Sequence, residues 1–247
     1  MEWKTKIQAL YNKCLLLMGE CDLCGNNLEN SIYNQQSLIC PSCFADLPRF
    51  NQDIVQSDLL NWPAINKALP NIYFDHLFSF SPYLPPFTQW LPQLKYQGRF
   101  ELADFFAALL AQQWKQHYLS NSMSPVDLIL SVPLHVSKWQ SRGYNQAHIL
   151  AKPFAKYIEC AYDETALIRI KKNISQVGQT GSQRRANLTN SFALAKKIPS
   201  KVNHVILVDD VLTTGSTASE ISKLLKHAGV KQVTIATICL TLPATKN

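Results

Sequence analysis

Four consecutive aliphatic residues, Val205-Ile206-Leu207-Val208, run into two aspartates, Asp209 and Asp210, and then into the loop Thr213-Thr214-Gly215-Ser216-Thr217. No other feature limits the fold as much. The aliphatic run is bounded and has no polar alternation, so it reads as a strand buried on both faces. Ala218, Ile221, Leu224, Leu225 and Ala228 follow at helical spacing, and Gly229 fits the position just past the helix end. A buried strand, a short loop and an amphipathic helix make a building block of a parallel sheet.

The rest of the chain extends this pattern. Tyr73 to Phe80 alternates enough for a strand and precedes a proline-rich turn at Pro82, Pro85 and Pro86. Leu102, Phe105, Phe106, Leu109, Leu110 and Trp114 predict an amphipathic helix over about 101–118. Leu128 to Val132 is a short apolar run ending at Pro133, as a buried strand would. Asn145 to Ile158 reads as a helix that Pro153 must bend or interrupt. Val233 to Leu240 is a further strand. The expectation is an α/β domain with a mostly parallel sheet over residues 73–247, a connector over 51–72, and a small cysteine module over 1–50. Ligands of such sheets bind beyond the carboxyl ends of the strands.

The strand end and its loop suit a sugar phosphate. A helix N-terminus offers unpaired N–H groups and the positive end of a dipole, which favour a phosphate. The threonines and Ser216 add hydroxyl donors, and Gly215 lets the backbone come close. Two adjacent carboxylates can accept hydrogen bonds from a sugar diol, alone or with Mg²⁺. The loop is not a Walker loop, because no Gly-Lys-Ser/Thr follows. The competing explanation is an ordinary helix start in which Thr217 and Glu220 form a capping box.

Net charge is +7, with 24 basic and 17 acidic side chains, and the excess is local. Residues 151–200 hold nine basic and three acidic groups, so one segment carries most of it. That segment contains Gln176 and then Arg184-Arg185-Ala186-Asn187, with Gly178 and Gly181 loosening the chain between them. It has the character of a lid over an anionic ligand, or of an exposed basic loop. A third stretch, Ser131-Val132-Pro133-Leu134-His135 followed by Arg142-Gly143-Tyr144-Asn145-Gln146, places an arginine and backbone N–H groups where pyrophosphate oxygens can be bound. His135 reads equally well as a solvated surface residue.

Seven cysteines are distributed unevenly. Cys21-x₂-Cys24 and Cys40-x₂-Cys43 match four-cysteine zinc spacing, with Gly25 and Pro41 supplying turns beside them. The alternatives are a redox pair or two disulfides. No secretory segment precedes them, and no apolar run approaches the ~20 residues of a membrane span, so a reducing cytoplasmic setting without membrane insertion is expected. Four thiolates leave no open position on zinc, so one structural ion per chain is the expectation. Cys14, Cys160 and Cys239 lack partners at ligand spacing and read as ordinary thiols.

The segment Val208 to Thr217 resembles the phosphoribosyl pyrophosphate (PRPP) signature of type I phosphoribosyltransferases. The resemblance implies that Thr213, Thr214, Gly215, Ser216 and Thr217 hold a 5-phosphate, and that Asp209 and Asp210 contact ribose hydroxyls. The motifs together, in order and spacing, resemble the ComF/GntX family, in which a four-cysteine zinc module precedes a phosphoribosyltransferase-like domain. Leu94, Lys95 and Gly98 match one family segment; Pro133, Arg142, Gly143, Asn145 and Gln146 match a second, with Tyr144 in place of Phe; Gln176, Arg184, Asn187 and Phe192 match a third. Gln179 departs from the apolar residue often found there.

Two functional readings follow from the resemblance. In one, the domain binds Mg²⁺ with PRPP and transfers or hydrolyses the ribosyl group. Asp209, Asp210 and Arg184 then act at the reacting sugar and its leaving group, and Pro133, Arg142 and Gln176 line the ligand. In the other, a non-catalytic module binds single-stranded DNA and keeps the phosphate loop to sense nucleotide or PRPP. The family's link to DNA uptake and natural transformation implies partners among DNA-uptake and DNA-processing proteins. No acceptor base can be named.

Overall fold

Parallel strands β1 (His76–Pro82), β6 (Gln232–Leu240), β5 (His204–Leu212) and β2 (Leu128–Ser131) lie in that order across one sheet. The computed structural model describes residues 19–28, 38–56, 58–118, 124–134, 139, 142–170 and 191–241. The chain divides into two compact units, Met1–Pro48 and Arg49–Asn247. The sheet belongs to the larger unit, and the register is continuous: Ser131 pairs with Val208, Val208 with Ala236, and Asp209 with Thr237. A single parallel bridge from Ile129 to Tyr162 extends the β2 edge. The α/β architecture with a parallel sheet is therefore as expected.

The strands are apolar on both sides because helices cover both faces. On one face α4 (Phe87–Tyr96) packs on α5 (Glu101–Tyr118), α5 packs on β1 and β6, and α6 (Gln146–Tyr157) packs on β5, β2 and α5. Phe87, Trp90, Phe105 and Phe106 stack edge-on or tilted with centroids 5.6–6.1 Å apart, and Phe78 of β1 meets Trp114 at 5.2 Å. Each fully buried side chain of this size contributes roughly 1.5–3 kcal/mol of burial. On the other face α7 (Ser216–His227) packs on β6 and brings Ile221 and Leu225 against Val205, Leu207, Val233 and Ile235.

Several elements differ from the sequence expectation. Residues 51–72, read as a connector, carry α2 (Gln52–Val55), a 3₁₀ turn at Leu59–Asn61 and α3 (Pro63–Ala68). Their Val55, Leu59, Ile65 and Leu69 belong to the core beside α7. Asp58 ties this segment to β1: its carboxylate accepts from the backbone N–H groups of Leu60 and Leu77 at 2.9 and 3.0 Å and lies 2.8 Å from His76 Nδ1. Helix α6 runs through Pro153 without interruption, its Leu150, Ala151 and Phe154 buried against the sheet and α5. Helix α4 follows the proline-rich turn and was not expected. A small antiparallel pair, β3 (Leu167–Arg169) and β4 (Phe192–Leu194), was also not anticipated.

In the smaller unit, α1 (Pro41–Ala45) starts at Cys40, with Pro41 at its first position, and Glu20 bridges to Asn27 in antiparallel fashion. No helix among the described residues is long and apolar enough to cross a membrane.

Candidate functional site

Strand β5 is longer than its aliphatic run and carries Asp209 and Asp210 within its C-terminal half. Period-two alternation sends neighbouring side chains to opposite faces. Asp210 is buried and Asp209 half-buried. Asp210 forms an ion pair with Lys95, from the last turn of α4. Asp209 Oδ1 accepts from the Asp210 backbone N–H at 2.9 Å. Burial, and next the Asp210 charge, hold the Asp209 carboxyl well above the usual carboxylate range. Burial works against the Lys95 charge, but Asp210 outweighs it and holds the ammonium above its usual pKa. The Lys95 ammonium thus sits on Asp210, and burial disfavours the charged form of Asp209 beside it.

The loop after β5 ends at Gly215, which precedes α7 in a left-handed conformation, φ +68°. Among the described residues no side chain caps the helix. Thr217 lies within the first turn instead of at the N-cap, so the Thr217–Glu220 capping box is not the device that starts this helix. Thr214 Oγ1 and Ser216 Oγ are 3.0 Å apart. A Cβ on Gly215 would lie 3.2 Å from Leu69 Cδ2 and 3.6 Å from the Phe74 ring. Ser219 Oγ accepts from the Tyr73 N–H at 3.1 Å. Leu69, in the segment read as a connector, therefore lies against Gly215 of the loop. We expect Gly215→Ala to cost about 1–2 kcal/mol from its left-handed backbone, with more from the displaced Leu69. A melt should show a midpoint lower by roughly 3–6 °C. An unchanged midpoint would mean that the loop tolerates a Cβ.

The β2 end is tied to α6 by Asn145. Its side chain donates to Val132 O at 3.0 Å and accepts from the Ala147 N–H at 3.1 Å, capping α6. Pro133 follows Val132 at this strand end. Arg142 donates to Gln146 Oε1 at 3.2 Å and to the Tyr96 hydroxyl at 3.1 Å, and lies 5.0 Å from the Tyr96 ring centroid. Tyr96 is adjacent to Lys95, so the structure brings Arg142 beside the Lys95–Asp210 pair. Around it, Phe100 meets Tyr144 edge-on at 4.7 Å, and the Tyr144 hydroxyl donates to Leu94 O. Tyr96 is 67% and Phe100 52% exposed.

Gln176, Arg184, Asn187 and His135 lie outside the described residues. Arg169, at the end of β3, was missed. Its guanidinium sits over the Phe192 ring at 5.2 Å, and its Nε and Nη2 are buried without hydrogen-bond partners among the described residues. Burial lowers its pKa while the Asp209 charge opposes that shift. In the sequence it is one of the nine basic residues of 151–200, with nothing to set it apart.

Cys21, Cys24, Cys40 and Cys43 converge. All four sulfurs lie within 4.8 Å of one another, and those of Cys24 and Cys40 are 3.7 Å apart. Zinc binds thiolate at about 2.3 Å in a tetrahedron, which sets its sulfurs roughly 3.8 Å apart. The cluster is therefore compatible with a zinc site. Gly25, with φ +72°, donates its N–H to Cys21 O at 2.9 Å and closes the first turn; the Cys40 N–H donates to Cys21 Sγ at 3.3 Å. Burial opposes ionisation of Cys21, but backbone N–H groups of Cys40, Cys24 and Leu23 bring it down to about 6. Cys43 is pushed up by burial and by the other three thiols. Crowded thiols cannot all ionise without a cation among them. Cys160 and Cys239 are free; burial raises Cys160 to about 11 and holds Cys239 up as well.

The phosphoribosyl transferase domain family matches residues 141–247. The DNA utilization protein YhgH of Salmonella typhimurium is 32% identical over 224 residues, covering 91% of each chain. Competence protein F of Haemophilus influenzae is 33% identical over 164 residues, covering 66% of this chain and 71% of its own. Competence protein ComFC of Streptococcus pneumoniae is 22% identical over 229 residues, covering 87% and 96%.

Proposed function

Because this chain belongs to the ComF/YhgH family, which joins a four-cysteine cluster to a phosphoribosyltransferase domain, we propose that it binds PRPP with Mg²⁺ and works on the ribosyl group in the use of DNA. One observation carries this reading. Asp209 and Asp210 lie in the strand that leads into an uncapped helix start at Gly215, and Lys95 and Arg142 gather beside them.

In this reading Thr213 to Thr217 take the 5-phosphate, because N–H groups and hydroxyls converge there. Asp210 accepts from the ribose diol, and Asp209 joins it as acceptor or, while protonated, as donor. Arg142 offers its planar fork to the pyrophosphate, together with Arg184. Pro133 and Gln176 line the same ligand. The carboxylates are the donor type Mg²⁺ takes, and Mg²⁺ in such sites is shared with substrate phosphates. When bound, it would neutralise phosphate charge. The protein's own contribution is to orient the sugar and to offset charge on the departing pyrophosphate. A structural zinc ion held by Cys21, Cys24, Cys40 and Cys43 completes the smaller unit.

A second reading, single-stranded DNA binding without transfer, draws on the exposed Tyr96 and Phe100 beside Arg142. Aromatic faces with cations are what stacked bases and phosphates need. A titration of PRPP with Mg²⁺ against a single-stranded oligonucleotide, each at two salt concentrations, separates the readings. Saturable PRPP binding is expected. If only the oligonucleotide binds, with an affinity that falls steeply with salt, the second reading replaces the first.

A further inference from the structure

The Lys95–Asp210 ion pair places a cation on a carboxylate that the proposed function needs for the ribose. Both side chains are largely withdrawn from water, with 23% and 12% of their surface exposed. The contact is not a chance meeting of two flexible surface groups. Lys95 is fixed at the end of α4, whose Trp90, Leu91 and Leu94 are buried, and the Tyr144 hydroxyl holds the carbonyl of Leu94. Just beyond it, Tyr96 carries the Arg142 guanidinium on its ring. Two cations therefore stand close enough to repel one another, and Asp210 outweighs that repulsion at Lys95.

A ribose diol that takes both oxygens of Asp210 displaces the lysine, which pairs with Oδ2. An ammonium this enclosed is costly to leave unpaired, so it needs a new anion within the reach of its side chain. Ribose 5-phosphate brings its only anion to the other end of the sugar, at the helix start. PRPP also brings a pyrophosphate at C1. We propose that Lys95 is a transferable counter-ion: it neutralises Asp210 in the free protein and passes to the pyrophosphate when the ribose takes Asp210.

This assignment rests on the PRPP reading and goes beyond it, because it gives Lys95 the task of distinguishing pyrophosphorylated from plain ribose phosphate. No bond is made or broken in the exchange. Lys95 retains its proton throughout and changes partners only.

The test uses the full chain, with Lys95→Met and Lys95→Arg, and measures PRPP and ribose 5-phosphate binding by calorimetry with Mg²⁺ present. In Lys95→Met, PRPP should bind about 10- to 100-fold more weakly, on the order of the loss of one charge-assisted contact. Ribose 5-phosphate should bind as well as before or more tightly, since Asp210 no longer has a lysine to release. Lys95→Arg should retain the preference for PRPP. Equal losses for both ligands in Lys95→Met would mean that the lysine merely supports the fold, and tighter binding of both would make it only a block. Either overturns the proposal. A readout on the unsubstituted sequence covers the case of a variant that fails to fold. With lysines carrying ¹³C-methyl groups, the Lys95 signal should move on saturation with PRPP, and a stationary signal also overturns it. If the unsubstituted chain binds neither ligand, the PRPP reading itself has failed.

Discussion

Replacing both aspartates, Asp209→Asn with Asp210→Asn, should abolish measurable PRPP binding. The proposed ribose contacts are hydrogen bonds to a charged or charge-sharing pair, each worth about 1.5–3 kcal/mol. Losing both corresponds to a hundredfold or greater fall in affinity. The single variants separate binding from folding, because only one of them should destabilise the fold. Asp210→Asn leaves the Lys95 ammonium without its partner in a largely enclosed position, and the melting midpoint should drop. Asp209→Asn removes a carboxyl whose ionised form is disfavoured in the folded state. A raised carboxyl pKa means that stability is full below the ordinary carboxylate value and is lost as pH rises through the raised one. Asp209→Asn should therefore leave the neutral-pH midpoint unchanged or higher, and should flatten its decline with pH. Undiminished PRPP binding in a folded double variant would remove the acidic pair from the site.

Cys40→Ser should have the second large effect, a loss of metal and of the ordered smaller unit together. Structural zinc contributes on the order of 10–16 kcal/mol in small peptide domains, and a unit this small has little core to replace it. Cys40 is central here: its N–H donates to Cys21 Sγ, its sulfur is beside Cys24, and it precedes α1. Freshly purified protein should contain one zinc per chain and the variant none, with new proteolytic cuts confined to residues before Pro48. Zinc must also displace protons from thiols such as Cys43, so its affinity should fall as pH is lowered. A metal-free native chain with an intact smaller unit would contradict this assignment.

The parts of the site that were legible in the sequence are local. Strand β5, its two aspartates, the loop and α7 are contiguous, and buried-strand and helical spacings are visible over such stretches. The cysteine cluster was legible because metal-ligand spacing is itself a short-range pattern. What escaped depends on distant packing. Val55, Leu59, Ile65 and Leu69 are spread over very short elements among prolines and asparagines, so no period emerges, yet they enter the core, and Leu69 lies against Gly215. Strands β3 and β4 have three residues each, too few to alternate visibly. Lys95 stood out only through the family resemblance, since nothing near it in the chain announces Asp210. Arg169 looked like one more member of a basic segment, and only its burial beside Phe192 sets it apart. Gln176 and Arg184 fall outside the described residues and stand as proposals.

The central claim is that the start of α7 holds the 5-phosphate of a phosphoribosyl ligand. Amide ¹H–¹⁵N spectra recorded during titration with PRPP and Mg²⁺ address it most directly. The account predicts saturable shifts of the Gly215, Ser216 and Thr217 amides, reproduced in part by ribose 5-phosphate and absent with ribose. Amides at Gly215 to Thr217 that stay in place while PRPP saturates the chain, or the absence of any saturable response, would contradict it.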